Sequence, residues 1–229
     1  MNAHDACEIA YANGYENGVA DALARADVLI VDGFGPVSNA KVFGLHDSIR
    51  RAKFPMSTDV SKLNNVLTSG IERLAKSKPG EGHDQFLTGV IVQFDLTLTN
   101  KCWCEAERYH FLDFVSSQST MHRITKFDLD CAYDEHVDPR IIDVIKSKVA
   151  EYQDMMVKDT SEEKLKEKYL EILYCNPAGF KLTAGMTTNY RQLKTIYRQR
   201  RNHRLPEWRD FCRWIETLPM SELITCVDN

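Results

Sequence analysis

From Val90 to Thr97 apolar and polar side chains alternate, with Val90, Val92, Phe94 and Leu96 on one side and Ile91, Gln93, Asp95 and Thr97 on the other. That period of two predicts a strand with one wetter face. The apolar run "VLIVDGFG", bounded by glycine and proline, predicts an earlier strand. Elsewhere the spacing is helical. "SNAKVFGLHDSIRRAK" and "STDVSKLNNVLTSGIERLAKSK" each carry a capping residue followed by helically spaced apolar positions, and the second stops at "PGEG". Further helices are predicted from about Asn100 to Phe114 and from Asp138 to about Tyr174, the latter strongly charged, with a capping pattern in "DTSEEKLKEKYLEILY". "CNPAGFKLTAG" breaks that stretch, and Thr188 or Asn189 can cap the next helix. Residues 1–26 read as a weakly amphipathic helical appendage, and residues 27–229 as one main domain. Strands interleaved with helices make the class α/β, or mixed α+β.

On a helix from 190 to 201, Tyr190, Leu193, Ile196 and Tyr197 share one side, and Arg200 falls in their middle. Arg191 and Arg198 lie together on the opposite face. An arginine in an apolar stripe must be paired, must snorkel or must serve a ligand, because burying an unpaired guanidinium is costly. Around this helix, from Thr187 to Arg213, seven arginines and one lysine stand against Glu207 and Asp210, although the whole chain carries a net charge of −4. A focused positive region on an acidic protein suits a small anionic ligand such as a phosphate or carboxylate, and a solvated basic helix is the plainer alternative. The acidic total and the absence of a recognised nucleic-acid module disfavour a nucleic-acid partner.

The 229 residues, 43% hydrophobic and 27% charged, are in the ordinary globular range. No apolar run approaches the roughly eighteen residues that span a bilayer, and the N-terminal segment lacks the pattern of a signal peptide, so no membrane partner and a cytoplasmic location are expected. Seven cysteines without framework spacing are expected as thiols. Cys102 and Cys104 have no second Cys/His pair at zinc spacing, so no metal is expected.

Three separated pieces together resemble the flavin-dependent thymidylate synthase family. "GHDQFL" places Gly82-His83 ahead of a strand, as the family's Gly-His does. Arg108-Tyr109-His110 stands at close to the spacing of the family's Arg-His-Arg signature. "TTNYRQLKTIYRQRRNH" matches the family's order of Asn, Arg two on, Leu two on and a further Arg seven beyond. The likeness covers roughly residues 28 to 220. It implies an α/β fold with a central sheet and flanking helices, a homotetramer with sites built from several subunits, and FAD as cofactor. The implied reaction delivers a one-carbon unit from methylenetetrahydrofolate to C5 of dUMP or a related pyrimidine deoxynucleotide, with NADPH as a possible reductant. Carried over by position, His83, Arg108, Tyr109, Asn189 and Arg191 become flavin contacts. Glu105, Ser117, Ser119, Arg123 and Arg200 become nucleotide contacts, and Arg200 the catalytic cation beside the pyrimidine.

The sequence also departs from the family. Tyr109 replaces its histidine and His110 its next arginine, Glu105 replaces a glutamine, hydroxyl residues around Ser116 and Ser117 replace an Asn-Glu pair, and Arg123 comes one place late. A non-catalytic relative that binds a nucleotide, a flavin or a protein partner is therefore the alternative reading.

Overall fold

The structure is a computed structural model that describes residues 22–23, 26–78, 80–158 and 160–226. The appendage expected at residues 1–26 falls almost wholly outside them. Among the described residues β1 (Val28–Val31), β2 (Val37–Phe43), β3 (Ile91–Thr99), β4 (Asp113–Ser117) and β5 (Lys181–Asn189) form one sheet in the order β1-β2-β3-β5-β4. The helices are α1 (Leu45–Arg51), α2 (Ser69–Ala75), α3 (Asn100–Ala106), α4 (Thr120–Arg123), α5 (Pro139–Val157), α6 (Glu162–Cys175), α7 (Tyr190–Arg200) and α8 (Pro206–Glu216). The protein is mixed α/β, as its sequence predicts. No helix among the described residues is long and apolar enough to cross a membrane.

The alternation of β3 is real, since Val92, Phe94, Leu96 and Leu98 are buried. The segment "SNAKVFGLHDSIRRAK" differs from its helical expectation, because its first half is β2. That strand pairs antiparallel with β1, Leu29 opposite Val42 and Val31 opposite Ala40. Its alternation breaks at Asn39, which takes a left-handed φ of 52°, so two successive exposed residues, Ser38 and Asn39, separate buried Val37 from buried Ala40. A bulge-like step of this kind turns a period of two into an apparent period of three. Gly44 then starts α1 at φ 71°, where a side chain would also meet the Gly89 carbonyl.

Of "STDVSKLNNVLTSGIERLAKSK" only Ser69–Ala75 is α-helix, with a short 3-10 turn at Val60–Lys62. Asp59 accepts from the N–H of Ser61, and Asn64 from that of Val66, and such local bonds compete with helix formation. The helix expected to reach Phe114 stops at Ala106, and Phe114 lies in β4. The charged stretch is two helices, α5 capped by Asp138 and α6 preceded by Ser161, with ion pairs joining Lys148 to Glu171 and Lys168 to Glu151.

The chain divides into two compact units. The first comprises the described residues up to Phe94, residues 111–113 and those from Thr187 onward, and the second comprises residues 95–110 and 114–186. In the first unit α8 buries Trp208, Phe211, Trp214 and Ile215 completely. Phe94 stacks against Trp214 and Phe211 with ring centroids 4.9 and 5.8 Å apart. Each such side chain stabilises the unit by about 1.5–3 kcal/mol. The second unit has its own core, where Phe180 meets Tyr133 and Phe127 edge to face and Ile145 of α5 and Ile172 of α6 join them.

Candidate functional site

The site is built on the start of α7. Tyr190 anchors it by donating its N–H to the Val90 carbonyl at 3.0 Å and its hydroxyl to the Pro219 carbonyl at 2.6 Å. Asn189 caps the helix, accepting from the Gln192 N–H at 2.9 Å. The apolar stripe, Tyr190, Leu193, Ile196 and Tyr197, is buried as the spacing predicts. The opposite face is therefore left to line a cavity of about 690 Å³. Asn189, Arg191, Gln192, Thr195, Arg198 and Gln199 contribute from α7, and Asp84, Gln85, Thr88 and Phe111 from elsewhere in the first unit.

At the edge of this cavity sits a buried ionic cluster. Asp84, 3% exposed, accepts from Arg191 Nε at 3.0 Å through Oδ1 and from Lys194 Nζ at 2.8 Å through Oδ2. Lys194, also 3% exposed, donates to the carbonyls of Ala75 and Ser77 as well, at 2.6 and 2.9 Å. An ammonium has three N–H groups, so the charge of Lys194 is fully engaged. Arg191 donates from Nη1 to Gln85 Oε1 at 2.8 Å, which fixes the plane of its fork. Among the described lining residues Asp84 is the one carboxylate, set against Arg191, Lys194 and Arg198. Gln192 adds an unfilled donor, because its Nε2 is buried with no hydrogen-bond partner among the described residues.

Asn189 and Arg191 are the predicted residues that the structure brings together at this cavity. His83 is exposed and opens the short helical turn that carries Asp84 inward. Arg200 does not line the cavity. It is 8% exposed, with Nη1 2.8 Å from His203 Nε2 and its guanidinium carbon 4.8 Å from the centre of the Trp208 ring. The remaining candidates belong to the second unit. Glu105 is partly buried on α3, 3.6 Å from Lys101 Nζ. Arg108 is exposed past the end of that helix, while Tyr109 is 8% exposed. Ser117 is exposed on β4, and Ser119 precedes α4, its carbonyl accepting from the N–H of exposed Arg123 at 3.1 Å. No group of three or more His, Cys, Asp or Glu among the described residues is placed to hold a metal.

Sequence reasoning missed Asp84, Gln85, Gln192 and Lys194. "GHDQFL" contained the first two directly after the residue it singled out. Lys194 had no local signal, since its acceptors lie more than a hundred positions away.

Comparison of the sequence with protein-family models and with curated proteins finds no match. Solved structures are similar. A flavin-dependent thymidylate synthase from Helicobacter pylori, solved with FAD and dUMP, aligns with a TM-score of 0.57 at 14% identity, over 87% of this chain and 97% of that one. A second structure of thymidylate synthase X from the same organism, also with FAD and dUMP, gives 0.57 and 14%, over 86% and 96%. The chain has the fold of the flavin-dependent thymidylate synthases.

Proposed function

We propose that this protein is a divergent flavin-dependent enzyme that holds FAD in the α7 cavity and transfers a one-carbon unit from methylenetetrahydrofolate to C5 of dUMP or a related pyrimidine deoxynucleotide. The observation that carries the reading is the meeting of Asn189 and Arg191, singled out by motif, in one cationic cavity of a chain with this fold. The residues fit such a cofactor. The cavity volume is within the usual range for small-molecule sites, its arginines suit a pyrophosphate, and Asp84, the carboxylate among the described lining residues, is already paired. When bound, a flavin supplies hydride-transfer chemistry. Asp84 and Gln85 hold the Arg191 fork in place for the anion. Arg200, held between His203 and Trp208, is the proposed cation for charge developing on the pyrimidine. Glu105, Ser117, Ser119 and Arg123 carry the nucleotide assignment. A homotetramer, NADPH as reductant and a cytoplasmic location complete the reading.

The test is a visible absorption spectrum of the purified protein after addition of FAD and desalting. A retained, protein-shifted flavin spectrum supports the reading, and a folded protein that retains none overturns it.

A second reading, binding without turnover, is favoured by one observation. Tyr109, where the family has histidine, is 8% exposed and offers a ligand no imidazole. Flavin retention with no effect of dUMP on the melting temperature would support this second reading, and a clear dUMP-dependent rise would count against it.

A further inference from the structure

We infer that Gln192 is a specificity-determining residue of the α7 cavity, its side-chain amide being completed by a hydrogen-bond acceptor on the bound ligand. The inference rests on reading the cavity as a flavin site, and it follows from counting which polar groups are already satisfied. All three N–H groups of Lys194 are taken, by Ala75, Ser77 and Asp84. Arg191 is oriented by Asp84 and Gln85. The Asn189 oxygen is occupied in capping Gln192. Gln192 lines the same cavity, yet its Nε2 is buried and meets no acceptor among the described residues. In this orientation the buried Nε2 makes no bond, and it gains one when an acceptor arrives in the cavity.

An amide end that no acceptor holds can turn about the Cγ–Cδ bond without breaking a bond at that end, which brings the NH2 group to the ligand. The arginines alone would accept any anion of suitable size. With Gln192 the cavity selects an anion that also carries a carbonyl, ring-nitrogen or phosphoryl acceptor at the correct place, because a site built to hydrogen-bond an acceptor discriminates against an analogue that lacks it.

Two variants separate this role from a structural one. Gln192→Met keeps the volume and removes the donor. Gln192→Glu keeps the shape, replaces the donor by an acceptor, and places a carboxylate in the first turn of α7, where it favours the helix. The unliganded melting temperature and the FAD dissociation constant, from flavin fluorescence, are measured for both and for the wild type. Gln192→Met should melt no lower than the wild type without ligand, whereas Gln192→Glu puts a carboxylate oxygen where Nε2 is buried and should melt somewhat lower. FAD should bind about tenfold more weakly to Gln192→Met, and more weakly still to Gln192→Glu. Equal FAD affinity in all three proteins overturns the inference and leaves the flavin reading intact. Lower melting temperatures with unchanged affinity also overturn it, by making Gln192 structural. A wild type that binds no FAD removes the flavin reading and this inference with it.

Discussion

Lys194 Nζ and Asp84 Oδ2 meet at 2.8 Å inside the first unit, each residue 3% exposed. Removing one partner of such a pair leaves an uncompensated charge, which is costlier than never having had the pair. Lys194→Met should destabilise the protein by about 3–5 kcal/mol, since it also strips the carbonyls of Ala75 and Ser77 of their donor. Asp84→Asn in the same chain should recover part of that loss. Urea unfolding of the two single variants and the double variant measures it, and an additive double variant would show that the two residues do not interact.

Arg191 and Arg200 should separate by phenotype. The Arg191 side chain is 34% exposed and lines the cavity, and Lys194 still balances Asp84 without it, so Arg191→Ala should melt only modestly below the wild type, through the donor lost from Asp84 Oδ1, while FAD affinity falls at least about tenfold. Arg200 is buried over Trp208, and Arg200→Ala should cost about 2 kcal/mol of stability. Its flavin should remain bound while turnover is abolished. Unchanged turnover in Arg200→Ala would exclude the residue from catalysis.

Acid should loosen the junction of β1 and α1. Asp27 at φ 52° accepts from the Asp47 N–H at 2.9 Å and lies 2.7 Å from His46 Nδ1. Burial raises the pKa of its carboxyl, but the bonds from Asp47 and His46 outweigh that and leave it below the ordinary carboxylate value. A depressed pKa in the fold gives stability that is present above the unfolded value, near 3.8, and is lost as pH falls through the folded one. Asn suits a left-handed φ, so Asp27→Asn should be less stable than the wild type at neutral pH, by about 1 kcal/mol, and equal to it in strong acid. Melting curves across that range would show a constant difference if the interaction with His46 and Asp47 were immaterial.

Alkali should act through Cys212. Burial, with Glu216 adding to it and Arg200 and Arg201 opposing, pushes this thiol up to about 12. A raised pKa gives stability that is complete below the unfolded value of 9.0 and is lost as pH rises through the folded one. A thiol-specific disulfide reagent at pH 8 should therefore modify exposed Cys104, Cys131 and Cys175 in the native protein and reach Cys212 only on unfolding. Rapid native modification of Cys212, read by mass spectrometry, would contradict its burial.

The sequence was legible where burial follows a simple period. β3 and the buried stripe of α7 announce themselves because every second, or every third and fourth, side chain meets a core. β4 does not, since all its residues from Asp113 to Ser117 are exposed and leave no hydropathy pattern. β5 buries Ala184, Met186 and Thr188, residues too small or too polar to stand out. At the site, Asn189 and Arg191 could be found from the order of residues along one helix. Asp84 and Lys194 could not, because what makes them important is a partner far away in the chain.

That distance has a consequence for how the protein is made. The bonds joining Asp84 to Arg191 and Lys194 link residues 107 and 110 positions apart, and the intervening chain includes the whole second unit. Closing a loop of that length costs about 4 kcal/mol of chain entropy before any contact repays it. On the ribosome Asp84 emerges long before either cation, and must stay hydrated until α7 has been synthesised. The second unit, wholly contained in the chain between them, can complete its core first. The cavity is then among the last parts to form, so ligand binding reports that the separated stretches of the first unit have found each other.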